Sequence, residues 1–215
     1  MENPYVITIS HLLGCGGARV GASLSEKLSI PFVDSQILKK VSDKLGIPKE
    51  DIEHREEKKL SFWETFFRGE AMATPLLIPG KEFIPLMVSD DEMYALETRY
   101  IEEAAQDKSC ILLGRGANYI LRNHPRHLRI FVYASPEARV GRIAELYHVN
   151  ASEAQKIMSK NDKDREAYLK TFTKRDMLNL QYYDLCVDTS SLGMETAVEI
   201  AMAALGAKLG VPCAR

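Results

Sequence analysis

Net charge is nearly absent from this 215-residue chain: 28 Lys and Arg face 30 Asp and Glu, leaving −2 at neutral pH with histidine uncharged. Without a bulk excess of either sign, neither nucleic acid nor an anionic membrane is expected as a partner, and any anion site has to be built locally. The four cysteines, Cys15, Cys110, Cys186 and Cys213, are widely scattered, with no short-spaced pair suited to a metal knuckle or a redox motif. They read as reduced thiols, as in a cytoplasmic protein. No uninterrupted apolar run approaches the roughly 20 residues of a membrane span. The opening Met1-Glu2-Asn3-Pro4 places no basic segment ahead of an apolar core. Neither export nor anchoring is expected, and internal repeats and low-complexity tracts are absent.

What is present suits a globular domain: 46% hydrophobic and 27% charged residues, at a length that favours one domain, 1–215, with a small appended lobe. Tyr5 to Ser10 reads as a strand and Ala18 to Ser29 as a helix. Ile30 to Val33 is a second strand, and Asp34-Ser35 caps a helix through Lys44 that Gly46 and Pro48 end. From Lys49 to Arg68 helical spacing continues, with Phe62, Trp63, Phe66 and Phe67 as packing residues. Pro75, Pro79, Gly80 and Pro85 make Ala73 to Val88 a loop, with a short hairpin at Pro79-Gly80-Lys81, and the edge of a mobile lobe. Ser89-Asp90-Asp91-Glu92 is a capping box for a helix whose face carries Met93, Leu96, Tyr100 and Ala104.

Cys110 to Leu113 and Leu128 to Tyr133 are buried-type strands, the second followed by the Ser135-Pro136-Glu137 helix start. That helix reaches His148, another spans Ala151 to Phe172, Leu185 to Val187 is a fifth strand flanked by structural Asp184 and Asp188, and Met194 to Leu209 is helical. Five apolar strands separated by helices imply an α/β fold, a parallel sheet covered on both faces. Ligands in such sheets bind beyond the strands' carboxyl ends, here Ser10 to Arg19, Asp34-Ser35, Gly114-Arg115-Gly116, Ala134-Ser135 and Asp188-Thr189.

The most informative stretch is Ser10-His11-Leu12-Leu13-Gly14-Cys15-Gly16-Gly17-Ala18-Arg19, a glycine loop between strand and helix. Free N–H groups and the positive dipole end at such a helix start suit a phosphate. A Walker A loop needs Gly, four residues, then Gly-Lys and Ser or Thr. Those positions hold His11, Gly16, Gly17 and Ala18, so one of the four survives. Arg19 stands in the first helical turn, and arginine grips phosphate with a planar fork that does not copy lysine. Two other readings stand beside this one. The loop is a tight turn that binds nothing, or Gly14-x-Gly16 with Asp34 marks a dinucleotide fold, against which Arg19 occupies the third glycine position. A helix start lowers the pKa of a thiol beside it, but Cys15 also reads as a small buried stand-in for serine. His11, beside two leucines, reads as loop packing, with a hydrogen bond to a phosphate as the alternative.

Taken together, several stretches resemble the cytidylate-kinase-like family, a branch of P-loop nucleoside monophosphate kinases. The carrying residues are Gly14-Cys15-Gly16-Gly17-Ala18-Arg19, Ile30-Pro31-Phe32-Val33-Asp34 and Gly114-Arg115-Gly116-Ala117-Asn118-Tyr119-Ile120-Leu121. They continue through Arg129-Ile130-Phe131-Val132-Tyr133-Ala134, Arg139-x-x-Arg142-Ile143, Asp162-x-x-Arg165-x-x-Tyr168 and Tyr183-Asp184-Leu185. The resemblance implies a single P-loop kinase-like domain, a three-layer sandwich around a five-stranded parallel sheet, with a mobile acceptor-side lobe at 49–88 and a lid at 149–175. That branch already lacks the loop lysine. It usually begins its loop Arg-Glu-Phe, where this chain has His11-Leu12-Leu13, and true cytidylate kinases place an arginine four residues before the lid aspartate, where this chain has Met158.

The roles implied follow residue by residue. Gly14, Cys15, Gly16, Gly17, Ala18 and Arg19 surround the donor phosphates. Arg115 holds the acceptor's phosphate, Asp162 and Arg165 contact the acceptor nucleotide, and Arg139 and Arg142 approach the phosphates from the lid side. Asp34 orients the acceptor or a water on magnesium, whose protein ligand the resemblance does not identify. Arg19, Arg115, Arg142 and Arg165 then form the catalytic cluster, since phosphoryl transfer needs positioning and charge neutralisation. The implied activity is transfer of the γ-phosphoryl group of ATP, with Mg2+, to a nucleoside monophosphate, cytidylate-like, or a related small acceptor. The alternatives are a nucleotide-binding regulatory module with little turnover and a Rossmann-type oxidoreductase.

Overall fold

Five strands, β1 (Val6–His11), β2 (Phe32–Val33), β3 (Cys110–Leu113), β4 (His127–Tyr133) and β5 (Leu185–Asp188), form one sheet in the order β2-β3-β1-β4-β5. Every neighbouring pair is parallel. The computed structural model describes residues 4–33 and 90–212. The expected helix from Asp34, the aromatic stretch at Lys49 to Arg68, the loop at Ala73 to Val88, Asp34 itself and Cys213 lie outside the described residues. The chain divides into two compact units, Met1–Asp34 with Thr98–Arg215, and Ser35–Glu97. Of the second unit, the described part is the beginning of a helix at Asp90.

Six α-helices are described: α1 (Gly17–Leu28), α2 (Asp90–Gln106), α3 (Ala117–Ile120), α4 (Pro136–Tyr147), α5 (Ala151–Thr173) and α6 (Met194–Leu209). None of the described helices is long and apolar enough to cross a membrane. The fold is the expected α/β sheet with helices on both faces. Its order, however, puts β3 between β1 and β2, whereas a dinucleotide fold runs 3-2-1-4-5-6. The dinucleotide reading of the glycine loop therefore does not fit the sheet.

Strand alternation decides what each face buries. Ile7, Ile9, Leu128, Ile130 and Val132 pack with Val20 and Leu24 of α1 and with Val198, Ala201 and Leu205 of α6. Burial of each Val, Leu or Ile side chain among them contributes about 1.5–3 kcal/mol. Thr8 lies on the opposite face of β1 and carries a buried polar bridge: its Oγ1 is 2.7 Å from His127 Nε2, and His127 Nδ1 is 3.0 Å from Leu121 O. A carbonyl only accepts, so Nδ1 carries the proton and Nε2 accepts from the threonine hydroxyl. The imidazole joins β1, β4 and the residue that ends α3.

The helix starts follow their caps. Ser135 Oγ accepts from Ala138 N at 3.3 Å, with Pro136 in the first turn, and Asn150 Oδ1 accepts from Glu153 N at 2.9 Å to open α5. Asp184, at the foot of β5, accepts from Arg129 Nη2 at 2.7 Å and is paired with Lys208 of α6. Burial opposes ionisation there, but the bonds from Arg129 and Lys208 prevail and hold the carboxyl well below the usual range. It fastens two strands and a helix, the structural role expected for it.

Candidate functional site

The chain leaves the central strand β1 directly into the glycine loop. Gly14 and Gly16 both adopt left-handed backbone, φ 79° and 82°. At Gly14 the space matters as well, because a Cβ would lie 2.9 Å from Arg139 O and 3.0 Å from Ile143 Cγ1. Gly16 is the N-cap of α1 and has no side chain to offer, and the first turn holds no acid. The positive end of α1 is therefore left without a side-chain cap beside exposed Ala18 and Arg19. Cys15, between Gly14 and Gly16, is fully buried. Its Sγ donates to Val132 O at 3.1 Å, and its carbonyl accepts from Thr189 Oγ1 at 2.6 Å. Burial raises the thiol's pKa against weaker opposing contributions from backbone hydrogen bonds and nearby arginines. Cys15 is thus a packed stand-in for serine and not an activated thiolate.

Three guanidinium groups grip the carbonyl side of this loop. Arg139 Nε donates to Leu13 O at 2.6 Å, Arg142 Nη1 to Gly14 O at 3.2 Å, and Arg165 Nη1 to His11 O at 2.6 Å. Arg142 also donates to Thr189 Oγ1 and Thr189 O, at 3.0 and 3.1 Å, so the end of β5 joins the same network. Arg139 Nη2 meets both carboxylate oxygens of Asp162, at 2.6 and 2.8 Å. His11 lies against Arg165, whose Nη1 is 3.3–3.4 Å from both ring nitrogens. Burial, then the charges of Arg165 and Arg139, hold the His11 pKa well below its usual value, so the ring is neutral at pH 7. His11 is a packing residue of the loop.

The second corner follows β3. Gly114, Arg115 and Gly116 are three consecutive left-handed residues, φ 68°, 54° and 68°, and a non-glycine residue in that region costs on the order of 1 kcal/mol. Arg115 is close enough to Arg165 for its charge to help depress the latter's pKa, after burial as the main cause. The structure thus brings Arg115, Arg142, Arg165 and Asp162 around one loop, at the carboxyl edge of the sheet.

Beside the corner is a cleft lined by Ser10, Gly116, Asn118, Tyr119, Arg175 and Tyr182, among others. The Arg175 guanidinium lies 4.8 Å from the ring centre of Tyr119 and 4.3 Å from that of Tyr182. Asn118 Nδ2 donates to Tyr182 O at 3.2 Å. Asn118 stood in a family-like stretch without an assigned role and Arg175 had none, because their carbonyl and aromatic partners come from distant segments. Met158 packs with Ile143 and Ala154 between α4 and α5. Among the described residues no cluster of three or more His, Cys, Asp or Glu is arranged to hold a metal ion.

Comparison with known proteins gives the same direction. The cytidylate kinase-like family model matches residues 6–191. A cytidylate kinase from Pyrococcus abyssi (strain GE5 / Orsay) is 31% identical over 104 residues, 48% of this chain and 56% of that enzyme. The match therefore spans little more than half of that curated relative's length. Among solved structures, an uncharacterized protein from Eubacterium ventriosum ATCC 27560 superposes with a TM-score of 0.68 at 19% identity, covering 94% of this chain and 98% of that one. A shikimate kinase from Bacteroides thetaiotaomicron gives 0.52 at 15% identity, over 94% and 98%. A gluconokinase from Sinorhizobium meliloti 1021 also gives 0.52 at 15%, over 98% and 96%. At these identities the structural likeness speaks for the fold.

Proposed function

The chain belongs to the cytidylate kinase-like family, and from that premise we propose that it transfers the γ-phosphoryl group of ATP to a nucleoside monophosphate or a related small acceptor. The observation that carries this reading is the uncapped start of α1, set between left-handed glycines at the carboxyl end of the central strand. Backbone N–H groups there point at a bound anion, and the helix dipole favours its charge. Arg19, exposed in the first turn, supplies the positive charge that a loop lysine gives elsewhere. Arg115, locked between two glycines, takes the acceptor's anionic group. Arg142 and Arg165, now on the carbonyls of Gly14 and His11, lie where a closing step turns them toward the transferred group.

Magnesium is proposed to enter with ATP, where it neutralises phosphate charge. Ala18 stands where a Walker loop has its metal-binding hydroxyl, and the described residues offer no acidic cluster, so no residue of this chain is assigned to the ion. One observation favours the regulatory reading: Arg142 and Arg165 are engaged with the loop itself. ATP consumption across a panel of nucleoside monophosphates and small hydroxy acids, with magnesium, separates the two. Turnover with at least one acceptor is expected, and a silent panel with ATP still bound points to a sensor.

A further inference from the structure

Arg139 and Asp162 differ from the other charged groups around the loop. The Arg139 side chain is 5% exposed and that of Asp162 30%, and Arg139 Nη2 donates to both carboxylate oxygens of Asp162. The rest of the guanidinium's known hydrogen bonding goes to Leu13 O, inside the loop. Two further contacts bed the same stretch of loop on α4. The Leu13 side chain packs against the Ile143, Ala154 and Met158 cluster, and Gly14 sits so close to Arg139 O that a Cβ would not fit. The Leu13 carbonyl and the Gly14 N–H belong to one planar peptide unit, so fixing the first fixes the second. The backbone where the loop begins is thus set by a bond that Asp162, on α5, holds in place through Arg139.

We propose that Arg139 and Asp162 are a positioning pair: they set the backbone of the glycine loop and tie it to α5, and touch neither donor nor acceptor. This rests on the reading of the loop as an ATP site. It also has a sign that electrostatics reverses. Asp162 is a negative charge near a site for a polyanion, and through the field alone its neutralisation strengthens ATP binding. A direct contact from Asp162 to the acceptor leaves ATP binding without acceptor unchanged. A positioning role weakens it, because a buried guanidinium that loses its partner no longer holds the loop.

The test is ATP affinity of the full-length chain, with magnesium and without acceptor, for wild type, Asp162→Asn, Asp162→Glu, Arg139→Lys and the double variant Asp162→Asn/Arg139→Lys. Asp162→Asn is expected to weaken ATP binding at least about tenfold, the scale of a lost charged hydrogen bond. Asp162→Glu recovers most of the loss. Arg139→Lys keeps the charge but lacks the fork, and weakens binding as much as Asp162→Asn. The double variant is no worse than either single one, since both break the same linkage. Equal or tighter binding in Asp162→Asn, or additive losses in the double variant, overturns the proposal. So does loss of cooperative unfolding in Asp162→Glu and Arg139→Lys, which would make the pair a requirement of the core. If the wild type binds no ATP, the functional reading falls and the pair's role with it. If the wild type binds and Asp162→Asn matches it, the pair alone is refuted.

Discussion

Replacing His127 by glutamine tests the buried polar bridge of the sheet through its pH dependence. His127 is 4% exposed and lies between Thr8 Oγ1 and Leu121 O. Burial is the main cause that lowers its pKa to about 4. The bond to Leu121 O opposes this, and the charges of Arg129 and Lys208 assist it. An exposed imidazole titrates near ~6.5. Between the two values the unfolded chain takes up a proton that the folded chain refuses. Stability is therefore fully present above the unfolded value and is lost as pH falls through the window between them. Integrating that difference from about pH 7.5 to about pH 5 gives a loss of about 2 kcal/mol from this one group. The assay is urea unfolding of wild type and His127→Gln at both pH values. His11, shifted in the same direction, contributes equally to both proteins, so the difference isolates His127. At neutral pH the variant is less stable by about 1–3 kcal/mol, from imperfectly met buried partners. Between the two pH values it loses about 2 kcal/mol less than the wild type does. Equal losses in the two proteins would refute the neutral, doubly bonded imidazole.

Three further outcomes follow from the site. Gly14→Ala meets Arg139 O at 2.9 Å in a left-handed conformation, and is expected to cost about 1–3 kcal/mol of stability along with ATP affinity; calorimetry showing an unchanged melting temperature contradicts the packing described. Cys15, fully buried with a raised pKa, stays unmodified by a thiol reagent in native protein while half-buried Cys186 is labelled, read by peptide mass spectrometry; equal labelling of the two refutes it. Arg115→Ala raises the acceptor's KM about tenfold or more while ATP affinity holds, consistent with loss of a charged hydrogen bond, and an equal effect on both ligands removes its assignment to the acceptor.

Local chemistry announced many of the elements. β3 coincides with the apolar run Cys110 to Leu113, and α4 begins at the serine cap and proline expected of it. Misplaced boundaries have particular causes. β4 starts at His127, one residue before the expected Leu128, because a histidine whose two nitrogens are both satisfied behaves as an interior residue. The face of α2 is displaced by one position from the expected Leu96, Tyr100 and Ala104: the buried line holds Ile101 and Ala105 and includes a charged residue, Glu97, which no apolar pattern would select. The second strand is shorter than expected, Phe32–Val33.

At the site, the glycine loop and Arg19 were legible from residue type and spacing, and Arg115, Arg139, Arg142 and Arg165 through the family resemblance. Their partners were not. The bonds from Arg139, Arg142 and Arg165 end on the carbonyls of Leu13, Gly14 and His11. A carbonyl is the same in every residue, so sequence holds no trace of which one is gripped. Thr189 marked a strand end, but its hydroxyl's link between Cys15 O and Arg142 depends on the β4–β5 register.

The central claim is that backbone amides at an uncapped helix start, with Arg19, replace the lysine of a phosphate loop. Calorimetric titration of ATP into wild type and Arg19→Ala tests it most directly. The account predicts saturable binding by the wild type and at least about tenfold weaker binding by the variant, the scale of one lost charge-assisted contact. Equal affinity in the two proteins, or no ATP binding by the wild type, would contradict it.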